Sequence, residues 1–369
     1  EVSWFYNSFY GARRSKLTLL SKLPLATQKT LVTDLFLEAF PGEAKKEYPR
    51  DVFAKDQLPQ LITIVPLKQE RKLKFVFQTK SFDPFWQEKP GSFLSHLIGH
   101  ECKGSILYNL KKENLAISLS SWFESTSFNG LFWIEINLTE KGLLHYLHVA
   151  DFVLSYISML EKEGLPDFIY EENKAISQQH YDFRDHKEGY SWASYLAKKM
   201  HLYAETDIEQ NEMLIHRYDE KIYKDFLRDF CVEHMTLILV NPEEKTTQKE
   251  VYYGTEFDLK KFTHKISLSK KSLMHLPLKN SFVAFSLPSH PSESVTPFKY
   301  QENEKGTLWF CHDQTFELPK TFIKIALKTN KPTFSSENKA ISLLYLSVIK
   351  ELTNDNSYYA DLAGIHFDM

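Results

Sequence analysis

Two hydrophobic periods alternate along this chain, and the places where one gives way to the other predict its elements. Leu61-Ile62-Thr63-Ile64-Val65, a β-branched run stopped by Pro66, predicts a strand, and residues 73–77 predict a second. Residues 115–121 and 131–138 predict two more, separated by a turn region rich in Ser, Asn and Gly, and Met235 to Val240, stopped by Asn241-Pro242, predicts a fifth. Between these runs the period becomes helical. Leu143, Leu147, Ala150, Leu154 and Ile157 share one face of a long amphipathic helix, capped by Thr139-Glu140 and ended at Gly164-Leu165-Pro166. Further helices are predicted over 26–40, 92–110 with Ser92 as cap, 167–182, 190–201 and 219–231. Strands and helices so interspersed predict an α+β domain of about 200 residues, an ordinary domain size.

The ends of the chain read differently from this middle. Trp4 to Tyr10 is rich in aromatics without a helix cap or strand alternation, and the charged stretch up to Lys55 reads as a linker. From Leu276 to Phe298, Pro277, Pro288, Pro291 and Pro297 predict an extended connector. Beyond it, Leu308-Trp309-Phe310 and residues 322–327 predict strands, and 337–352 a helix. The strand Leu73 to Lys80, the Lys89-Pro90 loop and a helix are echoed by Ile323 to Asn330, Lys331-Pro332 and a helix, as if one domain type occurs twice.

Composition narrows the function classes. Basic and acidic residues, 45 and 48, are mixed along the chain without a basic stripe, which excludes a nucleic-acid partner from the expectation. No apolar run approaches the roughly 20 residues of a membrane span. Cys102, Cys231 and Cys311 fit no Cys-x-x-Cys pattern and predict free thiols. Nothing in the sequence separates a cytoplasmic from a periplasmic location.

Few motifs carry chemistry. The order His96-Leu97-Ile98-Gly99-His100-Glu101 places two imidazoles four residues apart, so on one helix they would share a face, as zinc ligands do. Glu101, however, would then point about 100° away from His100, a poor place for a base acting on a shared water. His145 and His148 are three apart, a spacing that permits metal ligation, but no carboxylate or third ligand is expected to accompany them. Cys102 beside His100 is the one thiol–imidazole neighbourhood, but adjacent residues on a helix do not align sulfur with ring. There is no G-x-S-x-G elbow, P-loop or G-x-G-x-x-G. By chemistry alone no catalytic residue is expected.

Several short motifs in order carry a resemblance. His96 to Glu101 followed by Gly104-Ser105, then Asn137-Leu138-Thr139-Glu140-Lys141-Gly142-Leu143-Leu144-His145, Tyr253-Gly254-Thr255, Leu308-Trp309-Phe310 and Asp361-Leu362-Ala363-Gly364 resemble the central part of the insulin-degrading-enzyme and pitrilysin family. The resemblance implies repeated α+β domains, each a mostly antiparallel sheet packed by helices, in a large zinc metalloendopeptidase that encloses short peptides. It divides the chain into 1–49, the tail of a first, catalytic domain with its linker; 50–260, a second domain; and 261–369, a linker and the start of a third. The family's zinc sits on H-x-x-E-H, which occurs nowhere in these 369 residues, so this chain is expected to bind no cofactor and to be inactive alone, with zinc expected in the full-length protein. Its expected partners are peptide substrates and the missing N- and C-terminal domains. The resemblance also implies a substrate exosite formed by His96, Gly99 and Glu101 with Leu119 and Ser121 on a strand edge. The sequence departs from the family there, with Cys102-Lys103 in place of Gly-Pro and Ser121-Trp122 in place of Gly-Gly. A non-catalytic binding or scaffold member of the same family is the alternative.

Overall fold

Strict alternation decides where the core lies. In the strand Asn129–Leu138, Gly130, Phe132, Ile134, Ile136 and Leu138 are buried while the residues between them are half-exposed. Side chains along a strand point to opposite faces in turn, so one face of this strand is committed to the core. The neighbouring Lys72–Lys80 adds Leu73, Phe75 and Phe77, and the register sets Phe75 beside Ile134 and Phe77 beside Phe132.

The computed structural model describes residues 1–42, 51–185, 188–206, 208–269, 273–287, 295–313, 315–316, 318–329 and 335–368. The chain forms two compact units, Glu1–Lys279 and Asn280–Met369. The first contains, in order, α1 (Val2–Phe9), α2 (Leu25–Phe36), β1 (Gln60–Val65), β2 (Lys72–Lys80), α3 (Pro90–Ile98), α4 (Ile106–Lys112), β3 (Ala116–Ser125), β4 (Asn129–Leu138), α5 (Glu140–Leu144), α6 (Tyr146–Glu163), α7 (Asp167–Asp182), α8 (Gly189–Lys199), α9 (Ile208–Met213), α10 (Glu220–Asp229), β5 (Met235–Val240), β6 (Gln248–Lys249) and β7 (Glu256–Lys261). Its strands make one seven-stranded sheet in the order β3-β4-β2-β5-β1-β7-β6. The β1–β5 pair is parallel and the other pairs are antiparallel, the mixed but mainly antiparallel sheet that the α+β reading anticipates.

Helices cover one face. Val149, Phe152, Val153, Tyr156 and Leu160 of α6, together with Tyr223 and Phe226 of α10, join the buried side chains of β2 and β4 in a single cluster. Phe262 and Met274, beyond the last strand, belong to the same cluster. The other face is polar and half-open: Lys72 and Lys74 reach Glu135 at 3.2 and 2.6 Å, and Trp122 stacks on Trp133 with centroids 5.6 Å apart. No described helix is long and apolar enough to cross a membrane.

In several places the local structure departs from the sequence pattern. The helix expected over 92–110 is two helices, α3 and α4, because Gly99 ends the first and Gly104, at φ +84°, cannot continue it. Ser92 is not a cap; α3 begins at Pro90, and Ser105 caps α4 by accepting the Tyr108 N–H. The helix expected from Thr139 is also divided, at His145, though Thr139 caps it as expected by accepting the Gly142 N–H at 2.9 Å. The aromatic stretch near the N-terminus is the helix α1, in which Tyr6 stacks on Tyr10 just past its end. Much of the charged stretch before Lys55 lies outside the described residues, as does Lys331-Pro332 of the internal echo.

The second unit holds a hairpin, β8 (Val295–Asn303) with β9 (Gly306–His312), and the long helix α11 (Ser336–Leu362). Ser335 caps α11 by accepting the Asn338 N–H. Residues 322–327, expected as a strand, are exposed and unpaired with any described strand, since a β-branched run becomes a ladder only beside a partner.

One glycine is fixed by close packing. A Cβ on Gly142 would lie 1.8 Å from the Leu115 carbonyl oxygen, which also accepts the Thr139 N–H. Gly142→Ala is expected to destabilise the fold more than Thr139→Ala, whose lost cap costs about 1 kcal/mol. Urea midpoints of the two variants check this ordering, and a milder Gly142→Ala would refute the close approach.

Candidate functional site

The break between α3 and α4 is where the sequence-derived site residues meet. Gly99 stops α3 with its N–H donating to the Ser95 carbonyl at 2.9 Å. Gly104 is pressed against His275, whose ring would lie 2.4 Å from any Cβ placed there, and the His275 N–H donates to the Gly104 carbonyl. Asn109 of α4 donates to the carbonyls of Ser105 and Leu273 at 2.8 and 3.3 Å. From the core side, the Tyr156 hydroxyl of α6 donates to the Leu97 carbonyl. The break is therefore held by side chains from two other parts of the unit and is not a loose loop.

Within it, His96 and His100 meet edge to face, with ring centroids 5.4 Å apart. His100 is fully buried, and its Nδ1 accepts the Cys102 N–H at 3.2 Å, which leaves its proton on Nε2. Burial pushes the His96 imidazole down to about 4. Burial, and secondarily the charge of His96, pushes His100 down to about 3. Both rings are neutral at physiological pH. Because α3 ends at Ile98, His100 and Glu101 both lie beyond it, and the expected placing of His96 and His100 on one face of a single helix does not arise.

The strand side of the site is β3, an outer strand of the sheet, which among the described residues pairs with β4 alone. Leu119 is buried in the core, so its side chain is spent on packing and only its backbone remains for recognition. Ser121 faces α3. A Cβ at Gly99 would come within 2.8 Å of the Ser121 Oγ, so only glycine lets the end of the helix approach the strand this closely. Ser95, absent from the sequence-derived set, completes this contact: its Oγ donates to the Ser121 carbonyl at 2.6 Å, and the Ser121 Oγ donates to the Ser95 carbonyl at 2.8 Å. Its position one helical turn before Gly99 is the only sequence signal for it. The structure thus joins Gly99 to Ser121 directly and His96 to His100, and places Glu101 in the same break, half-buried.

The remaining chemical candidates resolve into structural contacts. His148, expected to lack a carboxylate, pairs with Glu113 at the end of α4 at 3.0 Å, while His145 sits at the α5–α6 break. The Cys102 thiol points to the Lys103 carbonyl, so the imidazole of His100 is not its base. Among the described residues no three His, Cys, Asp or Glu side chains gather as metal ligands do. The described residues of the break do not fit a zinc site.

Comparison with known proteins identifies the family of the chain. Residues 1–177 match the model described as "Peptidase M16 inactive domain", and residues 181–369 match "Middle or third domain of peptidase_M16". The chain belongs to the peptidase M16 family. It is 27% identical to human insulin-degrading enzyme over 100% of its own length and 37% of that protein's. It is 25% identical to rat nardilysin, over 99% of the chain and 33% of that protein, and 28% identical to the A-factor-processing enzyme of Saccharomyces cerevisiae, over 99% and 37%. It therefore spans little more than a third of the curated relatives it matches. Its fold is similar to a crystal structure of pitrilysin, with a TM-score of 0.72 at 18% identity over 93% of this chain and 38% of the other.

The buried histidines make stability depend on pH. In the unfolded chain both titrate near 6.5, whereas in the fold they stay neutral until about 4 and 3. Below about 6.5 the unfolded state therefore takes up protons that the folded state refuses, and stability falls with acid. Urea midpoints should drop between about pH 7 and pH 5, and less steeply in His96→Gln and His100→Gln. An unchanged slope in both variants would show that these rings do not contribute.

Proposed function

We propose that the Glu1–Lys279 unit is the substrate-anchoring part of an insulysin-like zinc metalloendopeptidase. In this reading His96, Gly99, Glu101, Leu119 and Ser121 form an exosite that holds the N-terminal end of a peptide. The observation that carries it is the position of β3. Among the described residues it is an outer strand with one edge unpaired by another strand, and the α3–α4 break bearing Glu101 begins at Gly99, which lies against Ser121. An extended peptide can add its backbone to such an edge as a further strand, with main-chain hydrogen bonds supplying affinity regardless of sequence. The Leu119 backbone and the edge near Ser121 are the docking line, and the Glu101 carboxylate is the partner for a free α-ammonium group.

The benefit to a peptidase is entropic. A flexible peptide tethered at one end presents its other end to a distant catalytic group at high effective concentration. Membership of the family supports a peptidase context, and two of the relatives are named for degrading insulin and for processing A-factor. The bond-breaking step, with its zinc, is assigned to residues outside this chain.

The test is binding of a short fluorescein-labelled peptide by anisotropy, with its α-amino group free or acetylated. Glu101→Gln should weaken binding of the free peptide about tenfold, the size of one lost charge-assisted hydrogen bond, and leave the acetylated peptide unchanged. Equal affinity of both peptides for the parent chain, unmoved by Glu101→Gln, would remove Glu101 from the exosite. In the same preparation, cleavage that a chelator abolishes and zinc restores would contradict the assignment of catalysis to residues outside the chain.

A further inference from the structure

An outer strand is useful to a peptide only where its backbone groups are available, and at Ser121 the carbonyl is already engaged. The Ser95 Oγ donates to the Ser121 carbonyl at 2.6 Å, the Ser121 Oγ returns a hydrogen bond to the Ser95 carbonyl at 2.8 Å, and the two hydroxyl oxygens are 3.2 Å apart. The Ser95 carbonyl also accepts the Gly99 N–H, so one backbone oxygen takes two donors to keep this contact. A serine within a helix ordinarily has a cheaper option, since its hydroxyl can donate to the carbonyl one turn back, here that of Gly91. Ser95 instead reaches across to the strand.

Resting on the exosite reading above, we propose that the Ser95–Ser121 pair is a latch that determines which peptides the β3 edge accepts. With the latch shut, the Ser121 carbonyl already has its donor and the end of α3 lies against the strand. A peptide that pairs with β3 must turn Ser95 back onto its own helix and replace the lost hydrogen bond with one of its own N–H groups. The start of the strand is guarded differently, by a register irregularity between Ala116 and Ser118. Bulges of this kind are one way in which outer strands avoid pairing indiscriminately with other chains. The latch covers the middle of the strand. It leaves the edge closed to a peptide that offers only backbone and open to one with a second point of attachment, such as the α-ammonium group at Glu101. The specificity is then for extended peptides with a free N-terminus, bound through the strand edge and the carboxylate together.

The experiment measures anisotropy of a fluorescein-labelled peptide of alternating valine and threonine, with its α-amino group acetylated so that Glu101 contributes nothing. Ser95→Ala should tighten its binding about fivefold, the equivalent of one ordinary hydrogen bond no longer lost on docking, while lowering the thermal midpoint of the protein. A residue that merely supports the fold would lower both. Ser92→Ala, on the exposed side of the same helix, should change neither. If Ser95→Ala does not fold, Ser95→Cys keeps a side chain of similar size but offers the Ser121 carbonyl only a weak thiol donor, and is judged by the same measure. Unchanged or weaker binding by the variant, with the parent chain binding measurably, overturns the latch and leaves the exosite standing. Binding by neither protein, to this peptide or to its free-amine form, overturns the exosite and the latch with it.

Discussion

The pairing register of β3 against β4 is the constraint on which both the core and the site rest. Leu119 lies opposite Ile136, Ser121 opposite Ile134, and Phe123 opposite Phe132. In this register Leu119 enters the core, Phe123 packs against Phe82, and Ser121 meets the end of α3. A slip by one residue would turn all three to the half-open face and bring Trp122 and Ser120 against the helices. The core would then lose an apolar layer, and the strand would lose its contact with Gly99. Stability and the geometry of the proposed exosite are thus set by the same ladder, which leaves little freedom to alter one without the other.

Much of this was legible before any coordinates. Met235 to Val240 is a strand over the residues its β-branched run and Asn241-Pro242 delimit, and α7 runs from Asp167 to Asp182 as its period indicates. These elements are decided locally. The division of the 92–110 helix is not, because Leu94, Leu97, Leu107 and Leu110 keep helical spacing through the interruption and all are buried. What breaks the helix is contact with distant residues, His275 against Gly104 and Ser121 against Gly99, and such contacts have no signature in a local window. The strand expected at 322–327 failed for the opposite reason, since its composition is right and no described strand stands beside it.

The site residues were named by family resemblance, and the structure shows what that resemblance could not convey. Leu119 contributes backbone alone, His100 is a buried acceptor for the chain itself, and Ser95 stands beside residues whose importance was expected without it. Ser121, where the resemblance implies a glycine, is not neutral in this structure. It introduces a hydroxyl that the opposing helix is shaped to receive, with a glycine facing it and a serine one turn earlier. Residue types on two elements fit one another there, which a comparison of single positions does not reveal.

The parallel pair at the centre of the sheet has a bearing on how the chain reaches this state. Gln60 of β1 donates to Thr236 of β5 in a buried contact between residues 176 apart in sequence. The β3–β4 hairpin is local and can assemble early, but the middle of the sheet must wait for a segment made much later. During synthesis the hairpin therefore waits with its apolar face bare, and the Ser95 hydroxyl on the Ser121 carbonyl leaves one backbone group fewer on the edge of β3 for other nascent chains to pair with.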